Sequence, residues 1–301
     1  MSLFYWSQLA TVAAINAIAA LGLYVTIVSG QLSSAHAALA GLAGYTTGVL
    51  ALQLHWPLPL TLLAAAVASA VVGAGLSRLV ANLQGFYLAI ATLAFAETLV
   101  VVVTNVKPLG GADGLSNIPI QTTLPLALAS ALVITLGVRL WEGSRPGLAA
   151  RAVGEDPVAA ACAGIAVPSV KIRAFALGGL LAGYSGALHA HYIGLVAPSD
   201  MSFQALVTLF FYVGIGGMGT YAGAVVGAVV VTIIPELLRF STYDRYLVFG
   251  LVLAGMMLVR PFGLIVRRPL GSRSTGASNP LSLLPFIRRV KPAGNPREVL
   301  E

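Results

Sequence analysis

The sequence predicts an all-α fold, a polytopic transmembrane helical bundle of about eight to ten spans with room for broken or re-entrant helices. Three observations carry that prediction. The composition is 58% hydrophobic and 9% charged, with a mean hydropathy of +0.90, whereas soluble domains carry about 25% charged residues. No Asp, Glu, Lys or Arg occurs from Met1 to Ser77, and Arg78 is the first. The apolar runs are continuous rather than alternating. That argues against a β-barrel with a polar lumen face and for helices, which satisfy their backbone groups within each segment.

A span needs about twenty apolar residues. Runs of that kind fall near 9–29, 34–54, 58–77, 85–105, 123–141, 171–193, 203–217, 220–238 and 246–262. The first lacks the basic leader of a cleaved signal peptide and reads as a retained span. Arg78, Arg139, Arg145 and Arg151 mark cytoplasmic turns under the positive-inside rule, and the segment around Asp113 falls outside by alternation. Nine full spans with an inward C-terminus would leave the N-terminus outside; a broken or re-entrant segment would change that parity. Gly30–Tyr45 and Gly178–Gly186, where Gly and Ser interrupt the apolar pattern, are the places for one.

Residues 1–265 thus read as one membrane domain, with 145–166 as a cytoplasmic loop. Residues 266–301 read as a basic, poorly ordered cytoplasmic tail rich in Ser, Pro and Gly. Eight of the 17 basic residues lie at or beyond Arg260. The net charge of +7 is therefore explained by membrane orientation rather than by nucleic-acid binding.

The motifs that suggest catalysis lack their context. Gly183-Tyr184-Ser185-Gly186 matches the GxSG of intramembrane serine proteases, which need a histidine on a later helix. His36, His55, His189 and His191 are the only histidines, and the last two share a segment with Ser185. Gly214–Gly219 matches GxGxxG but joins two apolar runs, so it reads as a tight inter-span turn rather than a nucleotide loop. No GxxxxGK[ST] occurs. The single Cys162 excludes an internal disulfide and a cysteine metal cluster and reads as a small packing residue. No catalytic, cofactor or metal residues are assigned.

Glycines at helix-packing spacing (Gly44/Gly48, Gly179/Gly183, Gly219/Gly223/Gly227) let backbones approach closely; packing is the simpler reading and a sliding surface the other. Glu97 is the one ionisable residue clearly inside a span, with Glu236 near a span end. An intramembrane carboxylate is a functional candidate by default, set against a structural role hydrogen-bonded within the bundle.

The polar island Arg145–Ile165 is the least hydrophobic interior stretch. Glu155, Asp156 and Pro157 suit a helix start, the alanines Ala159, Ala160 and Ala161 give a smooth face, and Gly164 gives a stop. Such a knob is too small to be a domain and too charged for lipid, which points to a separate cytoplasmic partner; the bland reading is a solvated loop.

These residues resemble the coupling loop of ABC-importer permeases, whose pattern is an acid, paired alanines and a glycine. Here those are Glu155, Ala159, Ala160 and Gly164, although Val158 stands where the acid usually does. More narrowly, the chain resembles LivM-type permeases of branched-chain amino acid importers through residues 33–46, 85–97, 110–119, 171–203 and 214–228. It departs from them with Ser34-Ala35 in place of Leu-Gly before His36, and with Ala96 in place of Gly before Glu97.

The resemblance implies a multi-pass permease of a bacterial inner membrane, paired with a second, LivH-like permease. Two ATPase subunits would hold ATP and Mg, and an extracytoplasmic protein would deliver the solute. It implies ATPase contact by Arg151, Glu155, Asp156, Ala159, Ala160 and Gly164. For the outer mouth and pathway it implies His36, Tyr45, Tyr87, Glu97, Asn105, Asp113 and His191. The solute expected is a branched-chain or related small amino acid; urea and short amides are the alternatives. A self-contained secondary transporter and a membrane enzyme using Ser185 are the rival classes.

Overall fold

The apolar runs fold as helices, and small residues decide where they touch. In the computed structural model residues 3–237, 250 and 263–265 are described. The chain divides into units Met1–Val266 and Arg267–Glu301. The expected tail 266–301, and the expected span 246–262 apart from Gly250, lie outside the described residues.

The helices are α1 (Leu3–Val28), α2 (His36–Gln53), α3 (Leu58–Leu79), α4 (Gly85–Asn105), α5 (Leu124–Gly143), α6 (Arg145–Glu155), α7 (Pro157–Cys162), α8 (Val167–Ile193), α9 (Phe203–Gly216) and α10 (Tyr221–Leu237). Four of them (α1 from Phe4, α3, α4 and α5) are long and apolar enough to cross a membrane. The only strands among the described residues are β1 (Leu115–Ser116) and β2 (Leu195–Val196), paired antiparallel with Leu115 opposite Val196.

The long central helix α8 packs against α3, α1 and α2. Its glycines make that closeness feasible. A Cβ on Gly178 would stand 2.6 Å from the Gly22 carbonyl oxygen of α1, one on Gly179 2.9 Å from Ser69 O of α3, and one on Gly186 1.9 Å from Ala40 O of α2. Helices in lipid associate through such contacts because hydrocarbon gives them no hydrophobic drive. The packing reading of the spaced glycines therefore holds at Gly179, Gly183, Gly223 and Gly227, each of which faces backbone or Ser69 at under 3 Å.

Buried polar ties fix the direction of each helix. The link between α1 and α2 is buried at Ser29, Gln31, Ser33 and Ser34. Its Gln31 Nε2 donates to Lys171 O (2.9 Å) and its Oε1 accepts from Ser77 Oγ (3.2 Å). The ends of α1 and α3 and the starts of α2 and α8 therefore meet at one end of the bundle, where Arg78 also lies. We call this the basic end. At the other end His191 Nε2 lies 3.0 Å from Thr61 Oγ1, Tyr192 bonds Gln8, and Tyr5 bonds Glu236. The chain therefore begins at the end opposite the basic one.

Two expectations are corrected. The Gly178–Gly186 stretch does not break: α8 runs unbroken from Val167 to Ile193, because these glycines serve contacts with neighbouring helices. The interruption comes later. The run predicted at 203–217 folds as α9, whose 14 residues make about 21 Å, short of a ~30 Å hydrocarbon core. The residues before it run as β2 and a 3-10 turn, with Val196, Pro198 and Met201 buried; Met201 lies against Gly41 of α2. Non-helical backbone at that depth is tolerated because protein covers it. In the Gly30–Tyr45 stretch only Gly30–Ala35 leaves the helix, and His36 opens α2.

Candidate functional site

The polar island is two helices rather than one. α6 carries the island back against the bundle: a Cβ on Gly154 would lie 2.1 Å from Val28 O, and one on Gly147 2.0 Å from Trp141 O. Arg151 Nη2 binds Glu142 Oε1 of α5 at 2.5 Å, with both side chains largely buried. Arg151 therefore ties the island to a span rather than reaching outward.

Asp156 then starts α7. Its backbone is extended (φ −151°, ψ 102°) and its Oδ1 accepts from Val158 N (2.8 Å) and Ala159 N (3.0 Å), which satisfies donors that an open helix start leaves unpaired. The acid that caps is thus Asp156, while Glu155 is the exposed last residue of α6.

α7 stops at Gly164 in the left-handed region (φ +83°). Gly164 N donates to Ala161 O (2.9 Å) and Ile165 N to Ala160 O (3.0 Å), the paired bonds of a Schellman stop. Ala160 is buried against the bundle, whereas Val158, Ala159, Ala161 and Cys162 are exposed. Cys162 is thus a surface thiol, not a packing residue. The island is a small-faced, partly apolar knob fastened to α1, α5 and α8.

The residues expected along a pathway do not gather in one place. His36 is fully buried at the basic end, its Nε2 2.9 Å from Thr26 Oγ1 and its ring 5.3 Å from that of Phe175. His191 is buried at the opposite end, with Nδ1 2.8 Å from Pro119 O. Tyr45 is buried in α2, and its hydroxyl has no hydrogen-bond partner among the described residues. Asp113 is exposed in a 3-10 turn at the opposite end.

Three of the expected residues do share a surface. Tyr87, Glu97 and Asn105 are all exposed on α4, and with Ile90, Ala94, Thr98 and Val101 they form one stripe at three- and four-residue spacing. Among the described residues Glu97 therefore has no hydrogen bond within the bundle. A carboxylate facing hydrocarbon near the middle of a span costs on the order of 3 kcal/mol.

A partly open cavity of about 250 Å³ lies between α1, α2, α8 and α9, beside the short helix α9, lined in part by Asn16, Ser185, His189, Asp200 and Thr208. Asp200 Oδ2 accepts from Ala197 N (3.0 Å), and the carboxylate is within electrostatic reach of His189 and Tyr45. Neither Asn16 nor Asp200 stood out in the sequence: Asn16 is a single uncharged polar residue within the first apolar run, and Asp200 lies between two runs with no motif around it. Ser185 Oγ donates to Ile15 O at 3.1 Å. Its hydroxyl proton is held between helices rather than offered to a histidine.

A family model described as the branched-chain amino acid transport system permease component matches residues 5–260. The chain belongs to this family. The permease is 28% identical over 322 residues to the high-affinity branched-chain amino acid transport system permease protein LivM of Escherichia coli (strain K12), covering 90% of this chain and 72% of that protein. It is 27% identical over 254 residues to the autoinducer 2 import system permease protein LsrC of Enterobacter sp. (strain 638), covering 80% and 74%. It is 30% identical over 138 residues to LivH of E. coli (strain K12), covering 45% and 44%. No solved structure matches it. Permeases of this kind are integral membrane proteins, in keeping with the apolar helices described above.

Proposed function

We propose that this permease works in the cytoplasmic membrane of a bacterium as one of two permease chains of an ATP-driven importer. In this reading branched-chain or related small amino acids are delivered by an extracytoplasmic binding protein, and ATP and Mg are held by two separate ATPase subunits. The basic end faces the cytoplasm, in keeping with the placement of Arg78, Arg145 and Arg151.

The observation that carries the proposal is the capped, exposed knob of α7. It is a defined helix on the basic end, with Val158, Ala159 and Cys162 uncovered. The knob supplies a docking face, while Arg151–Glu142 and the Gly154–Val28 contact transmit its displacement to α5 and α1. Glu155, Asp156, Ala159, Ala160 and Gly164 form or shape that face. For the solute we assign the α4 face of Tyr87, Glu97 and Asn105 to a path running between the two permease chains and Asp113 to its outer mouth, and we give His36 and His191 the role of holding helices together. The solute follows the delivering protein more than this chain, since the identity to LivM and to LsrC is nearly the same.

Gly164→Arg tests the reading. Arginine is strained at φ +83°, so the stop of α7 is lost. The tagged variant should insert normally yet recover few ATPase subunits in mild detergent and support little uptake. Full uptake by this variant would reduce the island to a solvated loop. Uptake by the purified chain alone, without ATPases, would favour a self-contained carrier.

A further inference from the structure

We propose that the exposed stripe of α4 is the surface on which this permease meets the second permease chain of the importer, and that Glu97 finds its polar partners there. The inference rests on the reading of the chain as one permease of a pair.

Of the four described spans, α4 and α5 are the least covered: 22% of the α4 window is buried and 11% of the α5 window, against 44% for α3 and 72% for α1. The outer faces of α4 and α5 differ in kind. α5 shows Leu128, Leu132, Val133, Leu136 and Leu140, a surface that hydrocarbon covers without cost. α4 shows Tyr87, Glu97, Thr98 and Asn105 among its apolar residues. Thr98 and Asn105 are self-satisfied, donating to Ala94 O and Val101 O at 2.8 Å each. Glu97, the thirteenth of the 21 residues of α4, has no hydrogen-bond partner among the described residues. Intramembrane carboxylates face a bundle interior or water and are paired. Among the described residues no bundle interior is offered to it, and a second membrane-embedded chain would complete one.

The occupant follows by elimination. Lipid leaves the carboxylate unsatisfied. An ATPase reaches only the cytoplasmic end, and a delivering protein only the outer end, whereas the stripe runs the length of the span. A membrane-embedded partner is required. A second copy of this chain, placed by a two-fold axis through this face, would bring two Glu97 carboxylates together, which like charges oppose. A homologous, non-identical permease avoids that pairing and can offer donors opposite Glu97. Ala94, in the middle of the stripe, lets the partner helix approach closely.

The test uses the full importer expressed together in membranes, with a photoreactive amino acid at Ile90, Ala94 or Val101 of α4, or at Leu132 or Leu136 of α5. Adducts are identified by mass spectrometry. The α4 positions should yield adducts with the second permease at about tenfold the level of the α5 positions. Adducts with lipid alone from α4, adducts with the second permease from α5 instead, or adducts between two copies of this chain would each overturn the inference. Recovery of the second permease and ATPases on the tagged chain is scored in parallel. Its failure counts against the importer reading, whereas an intact complex without α4 adducts counts against this surface alone.

Discussion

Single atoms carry much of the structure's consequence. The Asp156 carboxylate holds two backbone N–H groups at the start of α7, and losing such a cap costs about 1 kcal/mol of local stability. Asp156→Ala should therefore lower ATPase recovery several-fold in pull-down, while Asp156→Asn, which keeps an acceptor oxygen, should restore most of it. Equal loss in both would tie the effect to charge instead. The sequence shows two acids before Pro157 and does not say which of them caps. The choice rests on the backbone angles at one residue, set where α6 ends against the α1–α2 link. Gly178 is the second case. A methyl there would stand 2.2 Å from Thr26 Oγ1 and 2.8 Å from His36 Nε2. Overpacking of that kind typically costs 1–3 kcal/mol, so Gly178→Ala should lower the melting temperature in detergent. An unchanged melt would show that α1 and α8 can part at little cost.

At the scale of elements, apolar length was legible and interruption was not. The runs read at 58–77, 85–105 and 123–141 became Leu58–Leu79, Gly85–Asn105 and Leu124–Gly143, because hydrocarbon thickness sets how many apolar residues a span needs. The glycine-rich part of α8 looked breakable, since glycine weakens an isolated helix; inside the bundle it lets α1, α2 and α3 come close. The non-helical segment Leu195–Ser202, with Pro198, Ser199, Asp200 and Ser202, lies between the runs read at 171–193 and 203–217. What the sequence did not show is that it folds back against the bundle, burying Val196 and Met201, the latter against Gly41 of α2. The knob is likewise legible as a polar island, but its fastening is not. Arg151 and Glu142 are nine positions apart, and their pairing depends on the turn at Ser144. Removing one partner of a largely buried pair leaves the other uncompensated. Glu142→Gln should thus leave the ATPases bound yet reduce uptake, measured as uptake per ATP hydrolysed. Unchanged coupling would move transmission to the Gly154–Val28 contact.

At the scale of the whole molecule, the buried ties place the first residue of α1 and the last of α8 at one end and the arginine-bearing turns at the other. With a cytoplasmic basic end, the chain begins outside. In a Cys162→Ala background, Phe4→Cys should react with a membrane-impermeant maleimide in intact cells, and Leu83→Cys only after permeabilisation. The reverse pattern would invert the assignment of sides and take the docking proposal with it. The proposed path is the least legible part of the sequence. Tyr87, Glu97 and Asn105 could be picked out as polar residues in an apolar run, but their alignment appears only once α4 is seen to lie at the edge.

The exposed thiol on α7 has one more use. Cys162 is the only cysteine of the chain, and it sits on the face assigned to the ATPases. A permease whose knob is seated would shield its sulfur, and a vacant one would not. The rate at which an alkylating reagent consumes that sulfur therefore becomes a gauge of occupancy in unaltered protein, and it turns assembly into a quantity that can be followed through each turnover.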